Sequence, residues 1–431
     1  MTQAKTGLAY GDPRAMIEQA AGVFAVSQQR NTTMNKLTGK MPQIGEALAT
    51  IKKQSSNHMP IVQAQDLGKG RGDEIKFNLI NPSGGYPIMG SEYAEGKGVG
   101  ITLSEDRLRV NQARFPIDMG DTMSQIRSPV DMRRVARPLA QQKMDDYIDQ
   151  ALLVHMAGAR GFHDNVEWRV PVASHPNFAK IMVNRVKAPT RNRHFTAKAG
   201  GIQMVTPNAG DLDIASTDLL KMSTVDAVRT YIDQIELPPP PVQFDGDQAA
   251  TDSPIRVMLL SPAQYSGFAT DPAFRQFQAS AMARAQQGQA KSSSLFLGEA
   301  GLWNGILLVK MPKPIRFYAG DPINYCAAFD TEVETPLLVP ASFGTTFAID
   351  RAILLGGQAI AQAFAASDKS GMPMFWSEEM GDHGDKMEVL IGSILGMSKI
   401  RFAVDRGDEV QFTDNGVAVL DTVVPIIGAR R

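Results

Sequence analysis

One cysteine, Cys326, in 431 residues leaves nothing for an internal disulfide to close. It also excludes any structural zinc site that needs two or more thiolates. The six histidines, at 58, 155, 163, 175, 194 and 383, include no His-x-x-x-His pair, so a helical zinc-peptidase motif is missing. No run of about 18 apolar residues is available to span a bilayer. No apolar core follows a basic start at the N-terminus, so a secretory signal is not expected either. The chain reads as soluble and made in a reducing cytoplasm, without membrane contact. An excess of one charge is also missing: 44 Lys and Arg face 45 Asp and Glu, a formal net charge of −1. Dedicated DNA binders carry a clear basic excess to neutralise phosphates, so that class is disfavoured.

Catalytic patterns are absent as well. Gly90 to Lys97 imitates a phosphate loop, but has one residue too many between its glycines, and Gly98 stands where Ser or Thr would be. There is no Gly-x-Ser-x-Gly elbow and no His-Glu-x-x-His. Glu378, Glu379, Asp382 and Asp385 with His383 fit no calcium-loop spacing and read as a solvated acidic loop. His163-Asp164 reads as a histidine near helix-terminal carbonyls in preference to a catalytic pair. No enzyme activity, catalytic residue, metal or cofactor is assigned.

What the chain does contain is globular composition, with 43% hydrophobic and 21% charged residues. Its length predicts roughly two to three domains. Up to Pro60, seven Lys and Arg stand against three Asp and Glu, and apolar residues come only in short groups. Residues 1–65 therefore read as an extended arm, with a short helix around Pro13 to Val26, that finds its contacts on other surfaces. Ile75, Phe77 and Leu79 then alternate with polar residues, and Val99, Ile101 and Leu103 resume the alternation, followed by Leu108 and Val110 and then Phe115, Ile117 and Met119. Between them, Asn81 to Gly98 holds five glycines and two prolines. That predicts an extended hairpin over 66–127 with a glycine-rich tip. An isolated hairpin is barely stable in water, so this one needs a partner surface.

Ser128-Pro129 supplies an N-cap and a first-turn proline. Val135, Leu139, Tyr147, Ile148, Leu152 and Met156, with Ala136, Ala140 and Ala151, predict a helix from Pro129 to Ala157. At 1.5 Å per residue this rod is about 43 Å long, bent near Pro138. Between Glu167 and Asp211 no acid occurs, while Arg169, Lys180, Arg185, Lys187, Arg191, Arg193 and Lys198 are basic. This stretch reads as a basic loop that faces DNA or pairs with acidic neighbours. A helix is expected over Thr217 to Ile235, capped by Ser216 or Thr217. Four prolines at 238–241 read as a stiff spacer. Further on, strands are expected at Arg256–Leu260, Ile306–Lys310, Thr346–Ile349, Ile400–Val404 and Val417–Val424. Helices are expected from Ser261-Pro262, from Asp271-Pro272 to Arg284, and over Leu355–Phe364. Strands and helices without a regular period define an α+β class.

The run Asp66-Leu67-Gly68-Lys69-Gly70-Arg71-Gly72-Asp73-Glu74 before an alternating strand resembles one family of tailed-phage major capsid proteins. So do Glu95-Gly96, Gln112-Ala113-Arg114-Phe115, Met123-Ser124-Gln125-Ile126-Arg127 and the helix ending His155-Met156-Ala157-Gly158-Ala159-Arg160-Gly161. Weaker likeness runs on in family order through Leu302-Trp303-Asn304-Gly305 and Gly396-Met397-Ser398-Lys399-Ile400-Arg401-Phe402. The family is typified by short-tailed phages that carry a virion RNA polymerase.

The resemblance implies a Hong Kong 97-type fold and a structural subunit of hexamers and pentamers in an icosahedral virion, enclosing double-stranded DNA by weak non-specific contact. It implies assembly in the host cytoplasm, with decoration, scaffold and portal proteins as possible partners. The parts would be an N-terminal arm (1–65), an extended hairpin loop (66–127) and a peripheral-domain spine helix (128–160). A basic region and linker (161–255), an axial domain (256–345) and closing elements (346–431) would follow. The inter-subunit hairpin tip would comprise Gly84, Gly85, Tyr86, Gly90, Glu95, Gly96, Lys97 and Gly98. Val135, Leu139, Tyr147, Ile148 and Leu152 would mark the spine. Arg185, Lys187, Arg191, Arg193 and Lys198 would face DNA or form salt bridges. Some members of the fold crosslink a loop lysine to an asparagine. Lys97 stands at such a place, but no partner is identified for it. The alternative is a nucleic-acid-binding protein acting through 169–198.

Overall fold

The computed structural model describes residues 58–67, 74–80, 103–127, 132–235, 237–243, 255–272, 301–311, 313–365, 373–405 and 410–426, together with 37, 87–89, 95, 274 and 275. Two sheets and one long helix organise them. The first sheet has Lys386–Lys399 at its centre, paired antiparallel with Asn111–Asp121, Met374–Gly381 and Ile360–Ala365; Ile61–Leu67 adds on in parallel. The long helix, Met132–Ala157, lies on this sheet. Its 26 residues span about 39 Å at 1.5 Å per residue.

The helix seats on the sheet through Ala140, Met144, Tyr147, Ile148 and Ala151, which pack with Phe115, Ile117, Val389, Ile391, Leu395 and Trp376 in one core. The Tyr147 ring meets Phe115 edge-on at 5.9 Å, and its hydroxyl donates to the Ile181 carbonyl at 2.7 Å. Val135 and Leu139 do not join that stripe; they are 46% and 40% exposed. At 100° per residue they point more than about 120° away from the centre of the buried arc. The apolar periodicity of the first two turns is out of phase with the rest. Residues 128–131, where the helix start was expected, lie outside the described residues. Met123 to Arg127 instead belong to a separate short helix, Thr122–Arg127.

The second sheet runs in the order Gly301–Trp303, Ile306–Lys310, Arg256–Leu260, Phe347–Leu355, Val417–Pro425, His194–Lys198, Gly201–Met204, with Arg316–Phe317 also pairing Phe347–Leu355. Its central strands are buried on both faces, which is why they read as continuous apolar runs. In Arg256–Leu260, Val257 and Leu259 enter the core shared with the long helix. Met258 and Leu260 enter a second core under helices Met222–Gln234 and Pro262–Thr270. The latter helix carries a complete capping box between Ser261 and Gln264.

Several expectations are corrected. Leu355–Phe364 is not a helix but the end of one strand, a turn at Gly356-Gly357-Gln358 and the next strand, Ile360–Ala365. A short apolar run carries no periodicity that separates helix from buried strand. The helix expected over Thr217–Ile235 is Met222–Gln234, because Asp218 is used differently: it accepts from the backbone N–H groups of Ala215 and Ala199. The four prolines are no spacer. Pro239 is buried, its carbonyl accepts from Arg256 Nε at 3.1 Å, and the Pro240 carbonyl accepts from Gly357 N at 2.8 Å. Of the helix expected to Arg284, residues 272, 274 and 275 are helical and the remainder lies outside the described residues. Leu37, in the expected arm, is helical and buried in the chain's own principal core.

Candidate functional site

The hairpin and the basic segment meet at one place. Strands Glu74–Ile80 and Leu103–Arg109 pair antiparallel, with Ile75 opposite Leu108 and Leu79 opposite Ser104. The root of this ribbon is fastened to the body by three consecutive kinds of contact. Asp106 receives Lys187 Nζ at 2.9 Å on both carboxylate oxygens, and the Arg401 backbone N–H at 3.2 Å. Leu108 is fully buried among Ala361, Ala363, Ile400 and Phe402. Asn184 accepts from Arg109 N at 2.9 Å and donates to the Arg109 carbonyl at 2.8 Å and the Met397 carbonyl at 2.9 Å. Gly396 permits the approach: a Cβ there would stand 2.0 Å from the Arg109 carbonyl oxygen. Arg109 and Glu74 close the ribbon's base with a 2.6 Å pair, but the Arg109 side chain is 70% exposed, so this bridge contributes little.

Of the expected tip residues only Glu95 is described, and it is exposed. Gly84, Gly85, Tyr86, Gly90, Gly96, Lys97 and Gly98 lie outside the described residues. Of the expected spine residues, Tyr147, Ile148 and Leu152 are buried against the sheet and Val135 and Leu139 face outward. Sequence reasoning missed Met123 and Ile126, which are 51% and 72% exposed on the short helix before the long one, and Met380, 52% exposed on the adjoining sheet. An apolar pair at i and i+3 inside a short motif was the available signal.

The basic segment is a folded part of the body. Lys187 holds Asp106; Arg185 pairs with Glu334 at 2.9 Å; Lys198 pairs with Asp213 at 2.6 Å; Arg191 donates to the Val205 carbonyl at 2.8 Å. Arg193 is buried, which lowers its pKa to about 10, and its Nε donates to the Asp414 carbonyl at 3.0 Å. Of the two expectations for this segment, facing DNA or pairing with acids, the contacts seen for Arg185, Lys187 and Lys198 are acid pairs. These cations are spent on the chain's own acids and carbonyls, and His194–Lys198 is a strand of the second sheet. Gly158, with φ +66°, ends the long helix where a Cβ would meet the Lys187 carbonyl at 2.6 Å, so the segment packs directly on the helix end.

Behind this junction lie three buried carboxylates, each tied to arginine. Asp414 takes Arg401 Nε at 2.7 Å and Lys399 Nζ at 2.9 Å. Burial pushes its carboxyl up, but the two cations outweigh burial and hold it at about 2, while burial brings Lys399 down to about 8. Asp350 takes Arg316 at 2.6 and 2.8 Å and the Ser261 hydroxyl at 2.5 Å. Asp421 takes Arg351 at 2.8 Å on both oxygens. His163 is no catalytic partner of Asp164: its Nδ1 lies 2.8 Å from the Tyr318 hydroxyl, whereas Asp164 pairs with Arg160. The expected solvated acidic loop is corrected in part: Glu378 and Glu379 lie in strand Met374–Gly381, where Glu378 is largely buried and accepts from Arg137 Nε at 2.9 Å. Among the described residues no group of three or more His, Cys, Asp or Glu is arranged to hold a metal.

The root contact makes a direct prediction. Asp106→Ala is expected to cost roughly 1–3 kcal/mol by stranding the Lys187 ammonium and the Arg401 N–H. Hydrogen exchange should then speed up in Glu74–Ile80 and Leu103–Arg109 while the long helix keeps its protection. Unchanged protection of the ribbon would contradict this anchoring.

A family model described as phage capsid protein matches residues 7–426. No curated protein of similar sequence was found. Among solved structures, the chain is similar to the capsid of Ralstonia phage GP4, with TM-score 0.63 and 22% identity over 87% of this chain and 90% of that one. It is similar to the capsid asymmetric unit of cyanophage Pam1, with TM-score 0.60 and 15% identity over 87% and 90%. The acidic stable capsid structure of Helicobacter pylori bacteriophage KHP30 follows at TM-score 0.55 and 11% identity over 90% and 93%. At these identities the likeness is one of fold.

Proposed function

Because this chain belongs to the phage capsid protein family, we propose that it is the major capsid subunit of a tailed phage, building hexamers and pentamers of an icosahedral head around double-stranded DNA. Its α+β architecture is the Hong Kong 97-like capsid fold. The observation that carries the reading is the hairpin whose contacts with the body, among the described residues, lie at its root, beside a helix of 26 residues braced across a sheet. A ribbon held in this way reaches outward, and the surface that completes it is a neighbouring copy. Residues 1–65 serve as arm, 66–127 as the loop that grips a neighbour, 128–160 as spine, and 256–345 chiefly as the axial part, with 161–255 and 346–431 joining them. Outward-facing Val135 and Leu139, with Met123 and Ile126, supply apolar area for the same contacts.

In this reading the protein is structural and catalyses nothing. It assembles in the host cytoplasm, accepts scaffold, portal and decoration proteins, and touches packaged DNA weakly. The resemblance of the motifs from Asp66 to Gly161 supports a kinship with the short-tailed phages that carry a virion RNA polymerase. The family match and the use of the basic segment inside the fold favour this over a nucleic-acid-binding role. Sedimentation of the purified chain tests it. Fast-sedimenting particles should appear above a threshold concentration; a monomer throughout the range would overturn the assignment.

A further inference from the structure

Arg351 is the point where the long helix is joined to the second sheet. It is fully buried in strand Phe347–Leu355. Its NH1 donates to the carbonyl of Ala157, the last residue of the long helix, at 3.0 Å. Its Nε and NH2 grip Asp421 on the neighbouring strand, Val417–Pro425, and its face lies 5.1 Å from the Phe317 ring centre. The next strand adds His194, whose Nε2 stands 2.7 Å from Asp421 Oδ2 and 3.0 Å from Arg351 NH2.

That geometry leaves the imidazole one acceptable state. With a carboxylate oxygen at 2.7 Å, the proton of the neutral ring sits on Nε2 and is donated to Asp421. The other nitrogen, Nδ1, is buried with no hydrogen-bond partner among the described residues. A second proton would therefore create a buried N–H without an acceptor. It would also place a second cation 3.0 Å from the guanidinium of Arg351, with Asp421 as the one carboxylate shared by both. The other charged groups that act on the ring are Lys399, which adds to the repulsion, and Asp421, which opposes it. Lys399 is itself paired with Asp414.

We propose that Arg351, Asp421 and His194 form an acid-sensitive joint, which holds the C-terminal end of the long helix to the sheet while His194 is neutral and lets go when His194 is protonated. The joint is a property of the single subunit and does not rest on the shell assignment. Burial, followed by Arg351, lowers His194 from its ordinary 6.5 to about 4. The sign follows from that direction. A histidine depressed on folding contributes stability that is complete above about pH 6.5 and is lost as pH falls towards and through its folded value. A difference of about 2.5 pKa units corresponds to an about 300-fold change in the joint's opening equilibrium.

The test is hydrogen exchange of the full chain between pH 7 and pH 4, corrected for intrinsic rates and read in peptides covering 150–161. Protection there should fall by about 150-fold in the wild type by pH 4, half of the limiting change, because His194 is then half protonated in the closed joint. In His194→Gln, whose amide can still donate to Asp421 but cannot take up a proton, the fall should shrink by about that factor, leaving the part due to His155, which burial likewise lowers to about 4. In His155→Leu, which removes the other buried histidine of that helix end, the fall should persist. A fall of equal size in His194→Gln would overturn the proposal. Should that variant not fold, histidine C2 exchange by mass spectrometry on the wild type decides the matter. A midpoint for His194 near 4, at the lower end of a loss of helix-end protection that begins near pH 6.5, supports the joint, and a midpoint near 6.5 overturns it.

Discussion

Replacing Asp421 by alanine is expected to remove a large part of the chain's stability. Asp421 is fully buried, and its two oxygens are the counter-charge for Arg351, also fully buried, while His194 leans on the same carboxylate. Burial alone would raise this carboxyl; Arg351 and His194 overcome it and hold it well below the usual carboxylate range. Deleting one partner of such a pair costs roughly 3–5 kcal/mol, because the remaining charge is neither solvated nor paired. Against a typical total of about 5–15 kcal/mol, that is a large share. The effect should spread, since Arg351 also carries the Ala157 carbonyl at the end of the long helix. Urea unfolding of Asp421→Ala should show a midpoint far below wild type, or soluble protein should be lost. Asp421→Asn, which keeps the shape, should fall between. A wild-type midpoint in Asp421→Ala would show that the pair is solvated or replaceable.

The second large effect concerns assembly and leaves the fold alone. Changing Gly84, Gly85, Gly96 and Gly98 together to bulky residues should spare the subunit and block closed shells. The hairpin's attachment is accounted for at its root, by Asp106, buried Leu108 and the Asn184–Arg109 exchange. None of those groups is altered. In the proposed shell, glycines at the expected tip would let one loop adopt different backbone geometries around five-fold and six-fold positions, which a Cβ would restrict. One weakened contact recurs in every subunit, and about 1.4 kcal/mol per contact is already tenfold in affinity. The expected result is a melting temperature within about 2 °C of wild type and shell yield reduced by more than about tenfold. Misfolding of the purified subunit would mean that the tip packs on its own body.

Much of this architecture was legible because it is written in local periodicity. The alternation at Ile75, Phe77 and Leu79 gave the ribbon, and the stripe from Ala140 to Leu152 gave the helix. Arg256–Leu260 and Ile306–Lys310 fall on the expected strands to the residue. What failed was information carried across the chain. Leu355–Phe364 reads as helix until the Pro240 carbonyl, over a hundred residues earlier, is seen capping the turn at Gly357. The basic run from Arg185 to Lys198 looks like a free cationic loop. Its partners are Asp106, Glu334, Asp213 and the Asp414 carbonyl, and most are far away in sequence. Val135 and Leu139 belong to the right helix but the wrong face, and only the three-dimensional phase of the later turns reveals it. The family resemblance pointed to the fold that the matched family and structures bear out. The buried Asp–Arg pairs that hold the body together left no local trace.

The most direct test of the central claim is cryo-electron microscopy of the particles formed by the expressed chain. Closed icosahedral shells are predicted, with each ribbon of Glu74–Ile80 and Leu103–Arg109 leaving its own body at Asp106 and lying across the neighbouring subunit. Monodisperse monomers under every assembly condition, or a ribbon folded back along its own long helix, would contradict it.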